Sequence, residues 1–110
     1  PEAMSNLLVA IFGGRALSVA STAQLTAIME RCRTGAGRLK GRLPSATVVA
    51  HKTGTVGGSV NDVGVITLPQ DQGQFVISVF IKSSSAPIEE RERVIAEIAR
   101  SVRDFYLLMP

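Results

Sequence analysis

Lys52-Thr53-Gly54-Thr55 concentrates more usable chemistry than any other stretch of this sequence. An ammonium, a hydroxyl and a glycine in succession suit an anionic ligand: the first two supply positive potential and a donor for a carboxylate, and the glycine lets the ligand approach the backbone. The N–H of Thr55 is then available to stabilise an oxyanion in acyl transfer. Lys-Thr-Gly alone is a weak signal, expected by chance in about one chain in twenty of this length at average residue usage if Ser is allowed in the middle. Its surroundings must add the rest. Cys32 lies on the apolar stripe of a candidate helix and reads as a buried, inert thiol. His51 is a lone histidine on a strand and reads as a packed or surface side chain, since no spacing argument brings it to Ser83, Ser84 or Ser85 as a dyad. One cysteine and one histidine exclude an intrachain disulfide and a structural zinc site, so no metal is expected.

The 110 residues carry a formal net charge of +3, from a cluster at Arg15, Arg31, Arg33, Arg38, Lys40 and Arg42. No aromatic residue is interleaved with it, so it offers no base-stacking platform for nucleic acid and reads mainly as a solvated face. The longest apolar stretch, Phe75 to Ile81, contains Ser78 and is far shorter than a membrane span. The length allows one domain with a real core. The sequence opens Pro1-Glu2 with no recognisable leader, which reads as a removed leader or as a start partway through something longer.

The elements that must hold Lys52 follow from periodicity. Met4, Leu7, Leu8, Ile11 and Phe12 predict a helix stopped by Gly13-Gly14. Leu25, Ile28, Met29 and Cys32 predict a second helix, with Ser21 and Gln24 at capping-box spacing and an end near Thr34-Gly35. A Gly-rich, basic connection runs to Pro44. Three β-type runs, Thr47 to Thr55, Val60 to Leu68 and Gln74 to Lys82, are joined by links short enough for hairpins and predict an antiparallel meander. From Pro87 a final helix shows Glu89 and Glu90 in its first turn and an apolar face at Val94, Ile95, Ile98, Val102 and Phe105. The fold class is α+β. One feature strains against a self-contained domain: the third run is apolar at both parities, as in strands covered on both faces, yet the meander leaves it an edge. The pattern asks for another strand and another layer.

In this context the chain resembles the C-terminal portion of class A serine β-lactamases. The resembling segments are Pro1-Glu2-Ala3-Met4, Thr34-Gly35…Arg38-Leu39…Leu43-Pro44, Val49-Ala50-His51-Lys52-Thr53-Gly54-Thr55, Asn61-Asp62-Val63-Gly64-Val65, and Glu90-Arg91 to Ala99. Together they span nearly the whole chain in order, closest to the extended-spectrum branch with His-Lys-Thr-Gly-Thr. The resemblance implies the β-lactamase/transpeptidase-like fold, with residues 1–110 as the C-terminal segment of a single catalytic domain. It implies a periplasmic or secreted bacterial protein that needs no cofactor. Lys52 would help position the serine of the family's second motif, Thr53 would offer its hydroxyl to the β-lactam carboxylate, and Gly54 would keep the strand edge clear. Thr55 would supply one oxyanion-hole N–H and a hydroxyl contact. Arg38 would serve the carboxylate, because the following strand has no arginine. Asn61 and Asp62 read as structural.

The family's nucleophile lies in Ser-x-x-Lys, and none of the ten serines has a lysine three residues on. Ser59-Val60-Asn61 has the form of the second motif but follows Lys-Thr-Gly and sits in a hairpin, a coincidence. The acidic residue that activates water in the family falls before this segment. The chain is therefore expected to be one wall of an active site, inactive alone, whose partners are a β-lactam antibiotic and an N-terminal segment bearing Ser-x-x-Lys, with no nucleic acid and no membrane. Two other readings stand beside it. One is a fragment of a penicillin-binding protein or D-Ala carboxypeptidase, which shares Lys-Thr-Gly; the other is a non-enzymatic anion-binding α+β module.

Overall fold

The computed structural model describes residues 1–109. Helix α1 spans Glu2–Phe12 and α2 spans Val19–Glu30; strands β1 (Val49–Val56), β2 (Ser59–Thr67) and β3 (Gln74–Ile81) follow, then α3 (Ile88–Leu108). The sheet is an antiparallel meander in the order β1-β2-β3. Two short links suffice because antiparallel neighbours need no crossover.

The register puts Val49, Val60, Ile66, Phe75, Ile77 and Val79 on one face, packed with Ile95 and Ala99 of α3 and with Leu39. Fully burying Leu39, Ile66 and Ile95 contributes about 2 kcal/mol each. On the other face lie α1 and α2, with Ala50, Val63 and Val65 buried and Ser5 of α1 donating to Ser78 of β3 at 3.0 Å. The doubly covered strand is thus β2, whose residues from Asp62 to Ile66 are all buried. In β3, Phe75, Ile77 and Val79 are buried, while Val76 and Ser78 are half-covered and Phe80 is exposed. Its outer edge meets no strand among the described residues.

Three sequence-based expectations shift. The cap of α2 is Ser18, whose Oγ accepts from the Ser21 N–H at 3.1 Å, so Ser21 lies inside the helix and the Ser21/Gln24 spacing was a decoy. Cys32 falls beyond the helix end and is half-buried, its Sγ beside Thr34. On α3 the buried line is Ile95, Ala96 and Ala99; Val94, Ile98 and Phe105 form a second apolar line that stays exposed.

Residues 35–43 pass from α2 toward β1 as consecutive tight turns, with N–H bonds from Arg38 to Gly35 O, Gly41 to Arg38 O and Leu43 to Lys40 O. Helix α3 runs along this connection: Glu92 pairs with Arg38, and two turns later Arg100 donates to the Arg42 carbonyl at 2.9 Å.

Gly64 of β2 lies opposite His51 of β1, where a Cβ would sit 2.2 Å from the Ala50 carbonyl oxygen and 2.8 Å from the His51 Cα. Because the obstacles are backbone, they cannot turn away. Gly64→Ala is expected to destabilise the folded protein by about 3 kcal/mol, read as a lowered denaturant midpoint; an unchanged midpoint would remove the close-approach assignment.

Candidate functional site

The candidate site lies on the outer edge of β1, which among the described residues has a strand on one side only. Lys52 is exposed, its Nζ donating to the Thr53 carbonyl at 2.6 Å. The Thr53 Oγ1 lies 2.6 Å from the Thr34 Oγ1. A Cβ added to Gly54 would meet nothing closer than the Asn61 side-chain nitrogen at 3.8 Å. No packing among the described residues therefore demands glycine at this position. Thr55 accepts a 2.7 Å hydrogen bond at Oγ1 from a terminal nitrogen of Arg38.

Arg38 is 5% exposed. Its Nε donates to Glu92 at 2.9 Å, one terminal nitrogen donates to the carbonyls of Gly54 (3.3 Å) and Asn61 (3.0 Å), and the other reaches Thr55. A guanidinium has five N–H groups; four are committed here. The resemblance implied an arginine serving a substrate carboxylate; the structure buries Arg38 behind β1, with its guanidinium against the hydroxyl of Thr55. A cation buried this deeply needs its countercharge, and Glu92 supplies it from α3.

Beneath the strand, Asp62 is fully buried and accepts from His51 Nδ1 at 2.9 and 3.0 Å and from the Leu39 backbone N–H at 3.2 Å. The His51 ring is 1% exposed and bonds Asp62, not the serines at 83–85, and its Nε2 has no hydrogen-bond partner among the described residues. The structural reading of Asp62 is observed in these contacts. Since Leu39 follows Arg38 and Asn61 precedes Asp62, the dipeptide 61–62 grips the dipeptide 38–39 at two points.

Sequence reasoning passed over Glu92 and Thr34. Glu92 contacts a residue 54 positions away, a separation that no periodicity encodes. Thr34 was visible only as part of the Thr34-Gly35 segment.

Helices on both faces of an antiparallel sheet whose edge carries Lys-Thr-Gly define the lactamase/transpeptidase-like fold. The model of the β-lactamase enzyme family matches residues 1–106. VEB-1, a β-lactamase of Pseudomonas aeruginosa, is 44% identical over 97% of this chain and 38% of its own length. The extended-spectrum β-lactamase PER-1 of the same organism is 42% identical over 83% of the chain and 31% of its length. The crystal structure of the TLA-3 extended-spectrum β-lactamase superposes with a TM-score of 0.92 at 40% identity, covering 96% of this chain and 40% of that one. The chain belongs to the β-lactamase family, among its class A members. It spans well under half the length of these relatives.

Leaving a buried hydrogen-bonding group without its partner typically costs about 1–3 kcal/mol for each group orphaned. Asp62→Ala is expected to lose that much for each of two groups in denaturant unfolding, because both His51 and the Leu39 N–H lose their acceptor. A loss below about 1 kcal/mol would show that the pair does not hold the strand to the turn.

Proposed function

We propose that residues 1–110 are the C-terminal segment of the catalytic domain of a class A serine β-lactamase. In this reading the segment supplies the Lys-Thr-Gly wall of the active site, and the nucleophile comes from an N-terminal segment bearing Ser-x-x-Lys. The observation that carries the reading is the open edge of β1: an exposed ammonium, two hydroxyls and an unobstructed glycine occupy four consecutive residues, within a chain that matches class A enzymes along almost its whole length.

The chemistry follows from the placement. Hydrolysis of the β-lactam amide by a serine passes through a tetrahedral oxyanion and an acyl-enzyme. The Thr55 N–H is one donor to that oxyanion. Lys52 brings positive charge to the edge and orients the serine hydroxyl of the complementary segment. The substrate carboxylate lies against the hydroxyls of Thr53 and Thr55, with Gly54 leaving the backbone clear. Arg38 acts mainly through Thr55: its N–H occupies the acceptor side of that hydroxyl, so the hydroxyl proton is directed to the ligand. Its fifth N–H adds attraction for the anion. The protein works in the periplasm or outside the cell. Among the described residues no helix is long and apolar enough to cross a membrane.

A penicillin-binding or carboxypeptidase fragment shares Lys-Thr-Gly, but the relatives in hand are β-lactamases at up to 44% identity. A free-standing anion-binding module fits poorly with the uncovered line Val94, Ile98 and Phe105 and with the open edge of β3.

Mixing the purified chain with an N-terminal segment carrying Ser-x-x-Lys is expected to restore turnover of a chromogenic cephalosporin that neither piece hydrolyses alone. A chain that folds cooperatively by itself and gains no activity from any such segment would overturn the reading. In the reconstituted protein Lys52→Ala is expected to lower kcat/KM by at least about 100-fold, and unchanged kinetics would remove Lys52 from the site. Arg38→Ala should weaken selection for the substrate carboxylate as well as stability; a variant that loses stability alone would leave Arg38 with a purely structural role.

A further inference from the structure

The geometry points to Thr34 as a positioning residue for the carboxylate pocket, setting the direction of the Thr53 hydroxyl as Arg38 sets that of Thr55. This rests on the reading of Lys52 to Thr55 as the substrate-binding edge.

A threonine hydroxyl has one proton to give and two lone pairs to receive with. At Thr55 the direction is fixed, because Arg38 can only donate; the Thr55 proton must go elsewhere. At Thr53 the partner is a second hydroxyl, Thr34 Oγ1 at 2.6 Å, and either can donate. The other neighbour of Thr34 Oγ1 is the Cys32 thiol, with Sγ at 3.4 Å. A thiol is a weak donor and a weak acceptor, so it tolerates both directions. An anion in front of Thr53 demands the Thr53 proton. Thr34 then donates to Thr53 Oγ1, and the Cys32 S–H turns to Thr34. Both pocket threonines present an O–H to the anion, each already accepting one hydrogen bond from behind.

The backbone makes the arrangement specific. Gly35 has φ +68°, and a Cβ there would sit 2.5 Å from the Thr53 Cγ2 and 3.2 Å from the Arg38 Cδ. The turn is thus pressed onto β1 with no room for a side chain. Two residues four apart on that turn, Thr34 and Arg38, meet two residues two apart on the strand, Thr53 and Thr55.

Thr34→Val removes the hydroxyl with little change of shape, and Thr34→Ser keeps it. In the chain reconstituted with a Ser-x-x-Lys segment, calorimetry with a cephalosporin acid and its methyl ester gives the ratio of the two affinities. The Val variant is expected to lower the preference for the acid by about tenfold, the size of one hydrogen bond to a charged group, and the Ser variant to keep it. An unchanged ratio in the Val variant overturns the assignment, as does an equal loss in both variants. A wild type that prefers the acid yet hydrolyses neither compound would defeat the β-lactamase reading, and the ratio in the variants would still decide the role of Thr34.

Discussion

A carboxyl group with no exposure to solvent is costly unless it is hydrogen-bonded, and Asp62 meets that requirement by recruiting two separate parts of the chain. The imidazole of His51 comes from the strand that carries Lys52, and the N–H of Leu39 comes from the turn that carries Arg38. The candidate edge therefore inherits its geometry from a buried carboxyl group on the neighbouring strand. With Asp62 satisfied, β1 and the 35–43 connection become one body. The threonine hydroxyls on the strand and their partners on the turn then hold a fixed separation.

Arg38 repeats the principle one layer closer to the surface. Most of the positive residues in the first half of the chain are solvated, as the sequence suggested, but this one is enclosed by Glu92, two carbonyls and a hydroxyl. In the proposed site its effect on an anion would be relayed through Thr55, whose hydroxyl already accepts from it. If such an edge takes a carboxylate, its specificity would come from the alignment of dipoles fixed from behind more than from the number of cations nearby.

Much of the architecture was legible because periodicity reports burial directly. The three β-type runs with short links between them and the helical spacing in Met4–Phe12 led to the right elements, and Lys52-Thr53-Gly54 stood out by composition. The errors fell where two residues of one type compete or where a contact spans the chain. Ser18 and Ser21 both stand near the start of the second helix, and only the folded backbone decides which is the cap. The apolar residues of α3 outnumber what the sheet can cover, so the pattern marked Val94, Ile98 and Phe105 with the same weight as the buried Ile95. The partnerships of Glu92 with Arg38 and of Thr34 with Thr53 depend on three-dimensional proximity and leave no local signature.

Helix α3 lies along the 35–43 connection like a splint, fastened at one end by Glu92 to Arg38 and two turns later by Arg100 to the Arg42 carbonyl. The spacing of those fastenings is set by the helical rise, about 1.5 Å per residue, and cannot stretch. Length in this connection is consequently as constrained as residue type. A single inserted or deleted residue between Arg38 and Arg42 would put one fastening out of step with the other, whereas the hairpin tips at 57–58 and 69–73 lie outside that span. Drift in loop length among relatives should accordingly collect at those tips and spare the short run beside the helix.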